Sequence, residues 1–139
     1  MEGMDGYESH PARDASIRSM TMSEAGDREG WLALFADDVV IEDPIGVSSF
    51  DPDGKGHRGK DGIAKFWDDV ISKQPVRFTV RASYAAGSEC ANVGTVTTDL
   101  GGGTKAIVEG VFTYRVDDEG RIAAMRAYWE QDKIRIETD

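Results

Sequence analysis

The residue best placed to do chemistry is Asp43. It closes the stretch Phe35-Ala-Asp-Asp-Val-Val-Ile-Glu-Asp-Pro-Ile-Gly46. Pro44 holds it in an extended conformation, because the proline ring disfavours helix at the preceding residue. A carboxylate among Val, Ile and Pro has little water to solvate its charge. Its pKa rises, and once ionised it is a stronger proton acceptor. Asp-Pro at a strand end is also ordinary turn chemistry, since Asp bonds its own backbone and Pro sets the bend. Strand-end cap and general base are both open on spacing alone.

Other reactive side chains lack partners. His10 and His57 have no spaced ligand or acid beside them, so neither a metal site nor a triad is expected. Asp51-Pro-Asp-Gly-Lys-Gly56 departs from a calcium loop. Lys55 stands where an oxygen ligand belongs, and Gly62 occupies the position of the bidentate Glu. Cys90, the single cysteine, reads as a small apolar residue in a strand rather than a nucleophile, and excludes an internal disulfide.

The elements that position Asp43 follow from periodicity. Residues 1–13 are polar and aperiodic and read as a flexible tail. Asp14 is expected to cap a helix over about 15–25, with Ile17 and Met20 turned inward. A second helix is expected from about Arg28 to Phe35, burying Trp31, Leu32, Leu34 and Phe35. A short strand follows over 39–43. Residues 47–59 are rich in Gly, Asp, Ser and Pro and form a loop, either a flap over a pocket mouth or a surface insertion. Lys60 or Asp61 starts a third helix that runs to about Lys73, before Pro75. Strands are expected over about 76–85, 89–100, 104–116 and 121–136, separated by Gly-containing turns. Helices followed by an antiparallel meander indicate a single α+β domain over 14–139.

Composition narrows the partners. The net charge of −10, from 26 acidic and 16 basic residues, argues against nucleic acid and anionic membrane surfaces, which call for clustered Lys and Arg. No run is long and apolar enough for a membrane span, the first residues carry no secretory signature, and the lone cysteine fits a reducing compartment. A cytoplasmic protein is expected.

The run from Leu34 to Gly46 closely resembles the corresponding stretch of bacterial Δ5-3-ketosteroid isomerases. Gly120-Arg-Ile-Ala-Ala-Met-Arg-Ala-Tyr-Trp129 is a second match, and Gly59-Lys-Asp-Gly-Ile-Ala-Lys-Phe-Trp67 fits that family's third helix. The resemblance spans roughly residues 15–135 and points to the NTF2-like, or SnoaL-like, superfamily. It implies a cone, in which a curved antiparallel sheet wraps around three helices, and a homodimer paired through the outer face of the sheet. Val93, Val111, Thr113 and Tyr128 fall on that outward side. No cofactor is implied.

By resemblance Asp43 is the base that moves a proton from C4 to C6 of a steroid through a dienolate. Ketosteroid isomerase is itself a standard example of such chemistry, using an Asp base with a Tyr and a protonated Asp as oxyanion donors. Here the acidic donor position falls on Phe112 and the donor tyrosine at or next to Ser19. Positions of the supporting tyrosines fall on Phe35 and Trp67. Losing one oxyanion donor costs on the order of 3 kcal/mol in the barrier. Efficient isomerisation then needs a substitute, for which Ser19 and the indole N–H of Trp129 are candidates. Met20, Phe35, Phe66, Phe112, Met125 and Trp129 are expected to line an apolar pocket for a flat steroid-like or polyketide-like ligand.

Three readings remain open. The chain is a ketosteroid isomerase-like enzyme, a non-catalytic carrier of hydrophobic ligands, or a SnoaL-like polyketide cyclase that abstracts a proton beside a ketone. Epoxide hydrolysis, which needs a second acid and an Arg turned inward, finds no such pair.

Overall fold

A computed structural model describes residues 1–139. Helix α1 spans Pro11–Ala25, α2 spans Arg28–Leu32 and α3 spans Gly59–Asp69. The strands are β1 (Phe35–Glu42), β2 (His57–Arg58), β3 (Val76–Ala86), β4 (Glu89–Gly101), β5 (Thr104–Val116), β6 (Ile122–Tyr128) and β7 (Arg135–Thr138). They form one sheet in the order β2-β1-β6-β5-β4-β3, with β7 paired to β5. All pairings are antiparallel except β1 with β6. The curved sheet does not close, and its concave face holds the helices. No helix is long and apolar enough to cross a membrane.

The meander curves because it bends where side chains are missing. A Cβ on Gly94 would sit 2.2 Å from the Thr79 carbonyl oxygen, and one on Gly110 would sit 2.3 Å from that of Tyr128. Only glycine permits these strands to approach so closely. The bend makes room for a core of Trp31, Phe35, Val39, Ile41, Ile63 and Trp67. Trp31 lies 4.5 Å from the Phe35 ring and 5.1 Å from that of Trp67, in tilted aromatic contacts.

Four boundaries differ from the sequence reading. Helix α1 begins at Pro11, whose fixed φ suits the first helical position. His10, not Asp14, is its cap, with Nδ1 accepting the Ala12 N–H at 3.1 Å. The expected tail packs on the sheet instead. The Glu2 N–H donates to the Phe78 carbonyl at 3.0 Å, its own carbonyl accepts from Val80 at 2.8 Å, and Met4 is buried with Met20 and Val80. A free apolar side chain and an unpaired β3 edge together account for this docking.

The second helix stops at Leu32, and Phe35 opens β1, because the Ile122 N–H captures the Leu34 carbonyl and Ile122 pairs with Phe35. Helix α3 ends at Asp69, since Val70 leaves helical geometry (φ −124°, ψ −65°). A short 3-10 turn, Ile71–Lys73, follows. The last expected strand divides in two. After Tyr128 the chain leaves the sheet, makes a 3-10 turn at Gln131–Lys133, and returns as β7 beside β5.

Candidate functional site

The register decides what faces the cone. Ile41 pairs with Met125, Met125 with Tyr114 and Tyr114 with Cys90, forming one row across four strands. The neighbouring row on the same face joins Ala127, Phe112 and Asn92. Side chains alternate between faces, so Asp43, two residues beyond Ile41, points the same way. Residues between these rows face outward. Val93, Val111 and Tyr128 form one convex row, and Arg126 pairs with Glu42 at 2.9 Å on that side.

Between the concave face and helices α1 and α3 lies a cavity of about 450 Å³. That volume is within the range of small-molecule sites. Met20 of α1, Phe66 of α3 and Phe35, Phe112, Met125 and Trp129 of the sheet side all line it, as does Ser19. Most of the wall is apolar, and Asp43 contributes its carboxylate to it. Phe50, from the loop after Asp43, also reaches the cavity, and Ser49 beside it accepts a hydrogen bond from Gln131 Nε2 at 2.8 Å.

Asp43 follows β1 and joins Pro44 through a cis peptide. The indole Nε1–H of Trp129 donates to its Oδ1 at 2.6 Å. Desolvation by the surrounding protein raises the Asp43 pKa, and the indole hydrogen bond opposes that rise by favouring the ionised form. The indole orients the carboxylate, and burial makes it more basic than an exposed one. Trp129 was expected to serve either as wall or as oxyanion donor. Its N–H is committed to Asp43, so the second role falls away.

Ser19 is buried, and its Oγ accepts the Trp31 Nε1–H at 3.2 Å. A second hydroxyl, to which the family resemblance attaches no role, lies on the same cavity wall. Tyr114 is 4% exposed and lines the cavity. Burial and the negative charge of Asp43 push its ionisation far above the ordinary range, while the Ser19 hydroxyl acts in the opposite sense. The phenol is therefore neutral, with its proton available to donate. The alternation that turns Phe112 inward turns Tyr114 inward too, so the signal was present in the sequence.

Other reactive groups stand apart from the cavity. His57 stacks on Phe66 at 4.3 Å, and burial is the main cause of its lowered pKa. Cys90 is buried and donates its S–H to Asn92 Oδ1 at 3.2 Å. Arg58, Arg115 and Arg121 share a groove with Asp37, Asp38 and Glu42 outside the cone. No arginine lines the cavity itself.

Residues 17–125 match the family described as SnoaL-like domain. The Steroid Delta-isomerase of Nocardioides simplex is 29% identical over 115 residues, spanning 83% of this chain and 86% of that protein. The crystal structure of Delta 5-3-ketosteroid isomerase from Mycobacterium sp. is 44% identical with a TM-score of 0.88, over 93% of this chain and 100% of that one. RV0760c from Mycobacterium tuberculosis, in complex with estradiol-17beta-hemisuccinate, is 43% identical with a TM-score of 0.86, over 91% and 99% of the two chains.

Proposed function

Because the chain belongs to the SnoaL-like family and has a ketosteroid isomerase-like fold, we propose that it binds a steroid-like ketone in the cone and isomerises it, with Asp43 as general base. One observation carries this reading. A buried carboxylate projects into a mostly apolar cavity, with its pKa raised by burial and one oxygen fixed by Trp129. Asp69, the other acid at the wall, is solvent-exposed and paired with Lys65. A structural cap would bond its own turn. Asp43 instead turns its carboxylate to the indole that follows the adjoining strand β6.

The carboxylate takes a proton from the carbon between the ketone and the double bond. The electron pair moves onto the carbonyl oxygen as a dienolate. The newly formed carboxylic acid then returns the proton to the far end of the conjugated system. Trp129 keeps the carboxylate aimed between those two carbons, and the apolar wall keeps water from quenching the intermediate.

A second reading has its own observation. Phe112 offers no hydrogen bond at a wall position where the family resemblance implies an acidic donor, which favours a carrier that binds such ligands without turnover. The convex row of Val93, Val111 and Tyr128 supports assignment of a homodimer interface to the outer face of the sheet.

The test is turnover of 5-androstene-3,17-dione by wild type and Asp43→Asn together, with steroid binding measured in parallel. Turnover lost in the variant while binding persists supports the enzyme. Binding without turnover in wild type supports the carrier.

A further inference from the structure

A base alone does not make this reaction fast, because charge must collect on the ligand's carbonyl oxygen inside an apolar cavity. Some donor has to meet it. The cavity's N–H groups are largely spoken for. The Trp129 indole donates to Asp43, the Trp31 indole to Ser19, and the Asn92 amide to Ser16 Oγ at 3.0 Å. Lys73 and Gln74 come from the segment that follows α3, and both are exposed at the outer end of the cavity.

Resting on the general-base reading of Asp43, we propose that Tyr114 is the catalytic hydrogen-bond donor to the ligand's carbonyl oxygen, with Ser19 and Trp31 as its positioning residues.

Its placement carries this assignment. Tyr114 lies on β5, separated from β1 and its Asp43 extension by β6 alone, and all three strands present these side chains to the same concave face. Neighbouring strands are about 4.8 Å apart, so a tyrosine side chain crosses most of the gap towards Asp43. The acidic carbon and the carbonyl oxygen of a ketone are separated by one atom. Base and donor must therefore serve the same end of the ligand, and only a few ångströms can divide them.

The surroundings hold the phenol in its donor state. The Trp31 Nε1–H occupies one lone pair of Ser19 Oγ. The serine proton remains for a neighbour on the same wall, where Tyr114 also lies, and the phenolic proton remains for the ligand. A chain of this kind polarises each hydroxyl in sequence. The relay thus supplies from a strand the hydrogen bond that Phe112 does not make. No proton leaves Tyr114 in the cycle. Its O–H bond stays intact while the negative charge on the oxygen rises and falls.

The experiment compares wild type, Tyr114→Phe, Ser19→Ala and Asp43→Asn in two measurements. The first is turnover of 5-androstene-3,17-dione. The second is the affinity of estradiol, whose phenolic oxygen occupies the place of the dienolate oxygen. Tyr114→Phe should lower kcat by about a hundredfold with little change in KM. It should also weaken estradiol binding about tenfold, while a steroid with no oxygen at that ring position binds unchanged. Ser19→Ala should lower kcat by a smaller factor, leaving KM in place. Full turnover by Tyr114→Phe overturns the proposal, and loss in Asp43→Asn still upholds the base. If wild type fails to turn over, the isomerase reading fails, and the estradiol affinities judge Tyr114 separately. Equal affinity in wild type and Tyr114→Phe overturns its donor role. If Tyr114→Phe does not fold, unchanged kcat and estradiol affinity in Ser19→Ala overturn the relay.

Discussion

Trp129 and Asp43 meet across the mouth of the β1–β6 pairing, with the indole Nε1–H donating to Asp43 Oδ1 at 2.6 Å. The two residues are far apart in sequence and are brought together by the parallel register of Ile41 with Met125 and Glu42 with Arg126. The hydrogen bond works against the burial that raises the Asp43 pKa. On the general-base proposal, the balance between burial and this hydrogen bond sets the pH at which Asp43 can accept a proton.

The first prediction follows from that opposition. Proton abstraction needs ionised Asp43, so kcat/KM rises with pH through its pKa. Trp129→Phe removes the interaction that stabilises the ionised form. The acidic limb of the profile should move to higher pH, with the plateau reached later. A limb that stays in place in Trp129→Phe would show that the indole does not tune the base.

A second prediction concerns stability. Asp43 has a folded pKa above its unfolded one, so the native state binds the extra proton. Its contribution is most favourable below the unfolded pKa and is lost as pH rises through the folded pKa. Asp43→Asn escapes that loss and keeps an oxygen to accept from Trp129. The variant should melt above wild type at neutral pH, and the difference should shrink on acidification. Calorimetry over that range checks the sign.

Gly110 gives a third test. A Cβ there would meet the Tyr128 carbonyl oxygen at 2.3 Å and Trp129 Cβ at 3.0 Å. Gly110→Ala should force β6 away from β5, lowering stability by about 1–3 kcal/mol. The same shift should pull Trp129 from Asp43 and reproduce the pH displacement of Trp129→Phe. Denaturant melts and the rate profile measure the two effects together.

The N-terminal segment gives a fourth. Met4 is buried against Met20 and Val80. Met4→Ala should cost about 2 kcal/mol in unfolding free energy. A change near zero would return residues 1–10 to the role of a free tail.

Several of these features could be read along the chain, and others could not. Strand β5 ran from Thr104 to Val116 as its alternation and flanking turns indicated. The inward set of Met20, Phe66, Phe112, Met125 and Trp129 converges on one cavity, because period and face are local properties of a strand or helix. Pairings are not local. The capture of Leu34 by Ile122 moved Phe35 from a helix into β1, and the β3 edge drew the first residues onto the sheet. Trp129 could be read as facing the cone but not as bonding Asp43, since that contact depends on how β6 lies beside β1. Tyr114 is legible as an inward residue from the same alternation as Phe112, but the family resemblance attaches a donor role to Phe112 and none to Tyr114, two residues on.

The central claim is that Asp43 breaks the carbon–hydrogen bond beside the ketone. The most direct measurement is the rate of that cleavage in a single turnover, using 5-androstene-3,17-dione with hydrogen or deuterium at C4, for wild type and Asp43→Asn. Wild type should show a primary isotope effect. Asp43→Asn should cleave more slowly by about a hundredfold to ten-thousandfold, the usual range for a lost general base, while binding the steroid as well or better. Cleavage at the wild-type rate by Asp43→Asn would contradict the claim.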